Sequence, residues 1–172
     1  MLDIISPIPQ PDACIIGFDP GIARLGYGIV YKQGCRFRSL THGCLTTAKG
    51  LALPERLLSL SQGVQKLLTR YRLQGVTVER LFFQRNVTTA FHVGQVWGVL
   101  SLHCAQVSLP VRIVTPSQVK MAVTGYGRAD KKQVQHMVTR LLGLPGIPQP
   151  DDTADALAVA ICGLQVWDEG GR

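Results

Sequence analysis

The sequence predicts an α/β fold in which a central mixed sheet of five strands is flanked by helices. Three observations carry that expectation. Residues 14–18 (CIIGF) are apolar throughout, which suits a strand buried on both faces rather than a half-exposed one. Two further strand-like segments follow after short turns, as in an antiparallel meander. Beyond them, stretches of helical period alternate with two short apolar strands, the pattern of parallel strands linked through helices. With 172 residues, 46% of them hydrophobic, the chain has enough material for one folded core. That single domain is expected over residues 14–168, behind a Pro-rich leader (residues 1–13, with Pro7, Pro9 and Pro11) that is expected to be flexible.

Each element has a local reason. Gly26–Tyr31 reads as the second strand and Phe37–Leu45 as the third. Pro54 opens a helix whose apolar positions, Leu57, Leu60, Val64, Leu67 and Tyr71, keep the helical period. Gly75 ends the connection to a short strand, Val76–Glu79. Asn86 or Thr88 can cap a long helix running to about Gln106, and Val111–Val114 reads as another buried strand. Thr115-Pro116 is an N-cap followed by proline at the first helical position, so residues 117–123 are expected to be helical. After the break at Gly125-Tyr126-Gly127, Lys131–Leu142 forms a helix with Val134, Met137, Val138 and Leu141 on its apolar side. Three prolines then lead to a last helix, Asp152 to about Trp167.

Charge narrows the function. Eighteen Lys and Arg face eleven Asp and Glu, a net charge of +7, and an excess of that size points to a polyanionic partner. From Arg80 to Ala129 there is no acid, while Arg80, Arg85, Arg112, Lys120 and Arg128 supply positive charge, with Lys131, Lys132 and Arg140 close behind. An anionic membrane is the weaker partner, because neither a basic amphipathic helix nor a bilayer-length apolar run is found. The five cysteines are scattered, odd in number and never in a CxxC pair, which suits reduced thiols and offers no zinc pattern. The first residues lack the charged and apolar regions of a signal peptide, so a cytoplasmic location is expected.

The few acids fall in two places. Asp19 and Glu79 each end an apolar strand, so they emerge side by side if those strands are neighbours. Asp152 and Asp155 are three apart and share a helix face. Each has a plain reading as well: Asp19 as a turn initiator before Pro20-Gly21, Glu79 as a solvated strand end, Asp151 or Asp152 as an N-cap, and Asp155 as a first-turn acid. Taken together in an acid-poor chain, they suggest a carboxylate cluster. Converging carboxylates repel unless a cation lies among them, and Mg²⁺, a hard ion, suits oxygen ligands. Two such ions would stabilise both the attacking and the leaving oxygen in phosphodiester hydrolysis. Phe82 and Phe83 follow the strand that ends in Glu79 and have two readings: both are core, or, since adjacent side chains diverge there, one is exposed beside Arg85 as a platform for unpaired bases.

Several separated motifs, in order, resemble the RuvC-type Holliday junction resolvases from about Ile15 to Ile161. They are Gly17-Phe18-Asp19-Pro20-Gly21 with Gly26-Tyr27-Gly28; Val78-Glu79-Arg80-Leu81-Phe82-Phe83 with Asn86 and Gly94-Gln95; Val119-Lys120; Lys131 to Val138; and Asp152-Thr153-Ala154-Asp155-Ala156-Leu157-Ala158. The resemblance implies a ribonuclease H-like fold and a homodimer that cuts a four-way DNA junction by symmetric paired nicks, leaving 5′-phosphates, in recombination and repair. It implies Mg²⁺ or Mn²⁺, two ions per site when substrate is bound, and a branch-migration helicase complex as partner. By position, Asp19, Glu79, Asp152 and Asp155 match the acidic metal site; Lys120 and Lys131 match basic residues near the scissile phosphate, and Phe82 matches an aromatic that engages bases. Arg85 and Lys132 join the expected DNA-binding residues by charge and place.

Three departures from the family pattern stand out. The leader is longer than usual. Trp97 stands where arginine is common. Asp151 adds a carboxylate: the family spacing Asp-x-x-Asp selects Asp152, while Asp151 and Asp155, at i and i+4, would share a face too. Other readings are a non-catalytic junction binder of the same fold, or a related nuclease for other branched nucleic acids. An actin-like ATPase, whose phosphate-gripping hairpin Asp19-Pro20-Gly21 also resembles, would need a second domain for which 172 residues leave no room.

Overall fold

A computed structural model describes residues 13–80 and 87–169. Among these residues five strands form one sheet: β1 (Ala13–Asp19), β2 (Arg24–Gln33), β3 (Arg36–Thr46), β4 (Gly75–Glu79) and β5 (Val111–Val114), in the order β3-β2-β1-β4-β5. The β1–β2 and β2–β3 pairs are antiparallel; β4 runs parallel to both β1 and β5. The mixed sheet expected from the sequence is therefore present, with β1 at its centre. Ala13, the last residue of the expected leader, already belongs to β1.

Among the described residues five helices cover the sheet: α1 (Leu53–Arg70), α2 (Val87–Gln106), α3 (Pro116–Thr124), α4 (Lys131–Leu142) and α5 (Asp151–Glu169). Because successive strand residues point to opposite faces, β1 feeds two cores. Ile15 packs with Val134, Val138, Leu142, Leu157 and Ile161 under α3, α4 and α5. Cys14, Ile16 and Phe18 pack with Leu60, Val64, Val96 and Leu100 under α1 and α2. Trp97, the departure noted above, is partly buried against this second core.

Small residues bring α5 down onto the sheet. A Cβ at Gly17 would lie 2.4 Å from the Ala160 nitrogen, and one at Gly28 would lie 2.7 Å from Leu157 Cδ2. The facing helix is alanine-rich, with Ala154, Ala156, Ala158 and Ala160 all buried. This close approach carries the acids of α5 to the strand ends.

Helix starts are locally encoded. Thr115 caps α3: its hydroxyl accepts from Gln118 N at 3.2 Å, and Gln118 Oε1 accepts from Thr115 N at 2.8 Å. Asp130 and Gln133 form the same reciprocal box at α4, at 2.9 Å in each direction. In α1, Glu55 accepts from Ala52 N at 3.0 Å.

Three expectations need correction. Val111–Val114 is an edge strand rather than a buried one, with Ile113 51% exposed, because nothing pairs with β5 on its outer side among the described residues. Gly75 does not end the preceding connection; it opens β4, where a Cβ would meet the Trp167 ring. The last helix starts one residue earlier, so Asp151 lies inside its first turn.

Candidate active site

The parallel β1–β4 pairing decides the geometry. Phe18 pairs with Val78, so Asp19 and Glu79 stand next in register at adjacent carboxyl ends. Alternation turns both side chains to the α5 face, since Phe18 and Val78 fill the opposite core. On that face Asp19, Glu79 and Asp155 line one cleft of about 210 Å³, with Pro116, Val119 and Lys120 of α3 and Lys131 and Val134 of α4. The strand-neighbour condition attached to Asp19 and Glu79 is thus met, and the cations Lys120 and Lys131 share their cleft.

Burial and mutual repulsion set the protonation behaviour. Asp19 has its pKa pushed up to about 7, first by burial and then by the charges of Asp155, Glu79 and Asp152, against a lowering by Lys131. Glu79 is raised by burial and by Asp155, while Lys120 pulls it down. Asp155 is raised by burial, with Lys131 opposing. Burial works against the charge of Lys131, yet its hydrogen bonds to Asp151 and Asp155 more than offset this and raise its pKa. Hydrogen bonding from Lys131 lowers that of Asp151.

Asp152 is placed differently from the other three acids. It is not on the cleft wall; its Oδ2 lies 2.9 Å from Arg24 Nε, in an ion pair whose geometry makes no hydrogen bond. Lys131 Nζ bridges Asp151 at 2.6 Å and Asp155 at 2.9 Å. Among the described residues, no group of three or more His, Cys, Asp or Glu side chains is already arranged to hold a metal ion. The donor set itself is all carboxylate, and Asp19 and Glu79 carry raised pKa values that a cation would relieve; these residues fit a hard divalent ion.

Arg24 and the bridging role of Asp151 have no local signature in the sequence. Arg24 opens β2, and only the β1–β2 hairpin and the seating of α5 bring it to Asp152. Lys132 lies exposed in the first turn of α4, away from the cleft wall. Phe82 and Arg85, with Phe83 and Asn86, lie outside the described residues. His136 bonds through Nδ1 to the Lys132 carbonyl at 2.8 Å, and His103 pairs with the Ser61 hydroxyl at 2.7 Å, so both have ordinary packing partners. Cys14, Cys35, Cys44 and Cys104 are free thiols, and no helix among the described residues is long and apolar enough to cross a membrane.

The family model described as crossover junction endodeoxyribonuclease RuvC matches residues 15–163, a span that holds all four predicted acids. The chain belongs to the RuvC family. A RuvC from Rubrobacter xylanophilus is 52% identical over 153 residues, covering 89% of this chain and 86% of that protein. One from Desulfitobacterium hafniense is 53% identical over 148 residues, covering 86% and 90%. Among solved structures, Thermus thermophilus RuvC in complex with a Holliday junction substrate superposes with a TM-score of 0.88 at 34% identity, over 92% of this chain and 96% of that one. The ribonuclease H-like fold of RuvC, expected from the motifs, is the fold of this chain.

Proposed function

We propose that this chain is a structure-selective endodeoxyribonuclease that resolves four-way DNA junctions by paired symmetric nicks, in recombination and repair, leaving 5′-phosphates. The observation that carries this reading is the convergence of Asp19, Glu79 and Asp155, from three separate elements, in one cleft walled by Lys120 and Lys131. Asp19, Glu79 and Asp155 would hold divalent metal from the cleft, and Asp152 would join them on releasing Arg24. Mg²⁺ or Mn²⁺, two ions per site with substrate present, would supply an activated water and charge stabilisation for the leaving oxygen.

The remaining roles belong to the protein. Lys120 and Lys131 present positive charge where a phosphate enters the cleft and offset the charge that grows on its oxygens. The neighbouring Lys132 binds the backbone farther along, and Phe82 with Arg85 engages bases beside the junction. Residues 14–168 act as one nuclease domain behind the leader, in the cytoplasm and with a branch-migration helicase complex as partner.

The working unit is a homodimer. Supporting this, α2 leaves Phe91 63% and Leu102 59% exposed, and both Gly94 and Gly98 face open space. These positions recur at i, i+3, i+7 and i+11, so they form one apolar face with room for close helix approach.

Asp19→Asn tests the assignment. It removes the charge and keeps the shape, so junction cleavage falls by three orders of magnitude or more while junction affinity stays within about threefold. A variant that still cuts removes Asp19 from the site.

A further inference from the structure

Asp151 makes a 2.6 Å ion pair with Lys131, yet it lies off the cleft wall that Asp19, Glu79 and Asp155 share. Its Oδ2 accepts from Lys131 Nζ at 2.6 Å, against 2.9 Å for Asp155 Oδ2. Its other oxygen faces the Arg24 guanidinium at 3.8 Å. Asp151 and Asp155 sit at i and i+4 of α5, so Lys131 is held between an outer carboxylate, 45% exposed, and an inner one, 32% exposed.

An exposed ion pair of this kind contributes little to stability. Its consequence is positional. A lysine carries three donors on a long stem with many rotamers, and one carboxylate leaves that stem mobile. Two carboxylates one turn apart fix the ammonium at the mouth of the cleft. Were Asp155 to hold a cation inside the cleft, Asp151 would still hold Lys131. Arg24, ion-paired to Asp152 and beside Asp151, offsets the added negative charge.

We propose that Asp151 is a positioning residue: it holds the Lys131 ammonium at the cleft mouth, where the scissile phosphate passes, and is not a metal ligand. This rests on the nuclease reading above for the phosphate, though not for the Lys131 contact. It also separates the two adjacent aspartates of α5 by role, Asp151 to the lysine and Asp152 to the metal.

The test compares Asp151→Asn and Asp151→Glu with wild type on a four-way junction across a Mn²⁺ titration. Asp151→Asn lowers kcat about tenfold, the loss of one charge-assisted hydrogen bond. KM and the half-saturating Mn²⁺ concentration stay within about twofold, and Asp151→Glu recovers most of the rate. In a Lys131→Met background, Asp151→Asn costs nothing more. In the metal-free protein, the proton–nitrogen correlation of the Lys131 ammonium is visible in wild type and lost in Asp151→Asn. A tenfold rise in half-saturating Mn²⁺ would make Asp151 a ligand and overturn the proposal. So would a wild-type kcat in Asp151→Asn, a full additional loss in the Lys131→Met background, or an unchanged ammonium signal. Absence of junction cleavage by wild type sinks the nuclease reading instead, and the ammonium signal then still decides the contact.

Discussion

Gly26 of β2 lies directly under Asp152 of α5: a Cβ on Gly26 would sit 2.1 Å from the Asp152 carbonyl oxygen. Gly26 is also the register partner of Asp19. One missing side chain therefore lets the first turn of α5 reach the end of the central strand, and with it the carboxylates that follow. Gly26→Ala has no flexible side-chain end to push aside, only backbone. We expect it to displace the start of α5, lower cleavage at least tenfold and destabilise the fold by about 1–3 kcal/mol. Thermal unfolding and junction cleavage of the same preparation check both effects.

Asp19 makes stability depend on pH in an unusual direction. Its pKa rises from 3.8 to about 7 on folding, so the folded state keeps a proton that the unfolded state has lost. For an acid shifted upward, that contribution is fully present below the unfolded pKa and disappears as pH rises through the folded one. In EDTA, stability should therefore fall between about pH 4 and pH 7, by on the order of a few kcal/mol. Asp19→Asn should flatten that slope and be the more stable protein at pH 7. Urea unfolding of both proteins at a series of pH values measures it, and equal pH slopes in wild type and Asp19→Asn would contradict the burial and repulsion assigned to Asp19.

Divalent metal should reverse the same penalty. At a Mn²⁺ concentration about 100 times its Kd, binding to the folded state alone adds about 2.7 kcal/mol. The melting temperature of wild type rises at pH 7.5 and that of Asp19→Asn stays nearly constant (the pH being about that of ordinary assay buffers). Equal shifts in both proteins would move the binding site away from Asp19.

Leu157 anchors α5 between the sheet and α4. It is fully buried, and its side chain fills the space above Gly28. Leu157→Ala should cost about 2–5 kcal/mol through lost burial and a cavity. Chemical denaturation gives the figure directly. A cost below about 1 kcal/mol would mean that α5 is not held by this contact.

The exposed face of α2 yields a prediction about assembly. Leu102→Glu places a charge in the apolar stripe that begins at Phe91, while leaving the cores beneath α2 untouched. Sedimentation equilibrium should find a dimer in wild type and a monomer in the variant. A wild-type monomer at tens of micromolar would contradict the homodimer.

Most of the scaffold was legible because its signals are local. Thr115-Pro116 announces α3, and the residues from Lys131 to Leu142 carry the period of α4 without interruption. Asp19 and Glu79 each visibly end an apolar strand, so their pairing waited only on those two strands being neighbours, which the β1–β4 pairing supplies. What escaped the reading depends on contacts between distant parts of the chain. Arg24 meets Asp152 only after β2 returns beside β1 and α5 packs across both. Asp151 could be placed on a face with Asp155, but nothing local says that Lys131 from another helix would bridge them. Ile113 reads as core by composition, yet it sits on an edge strand, which no four-residue pattern reveals.

The cleft of Asp19, Glu79 and Asp155 is proposed to cut four-way DNA with the help of divalent metal. The most direct measurement compares cleavage of an immobile four-way junction with that of linear duplex, in Mg²⁺, in Mn²⁺ and in EDTA. Paired symmetric nicks are expected in the junction alone, supported by either metal and abolished by EDTA. Nicks that persist in EDTA, or equal cutting of the linear duplex, would contradict it.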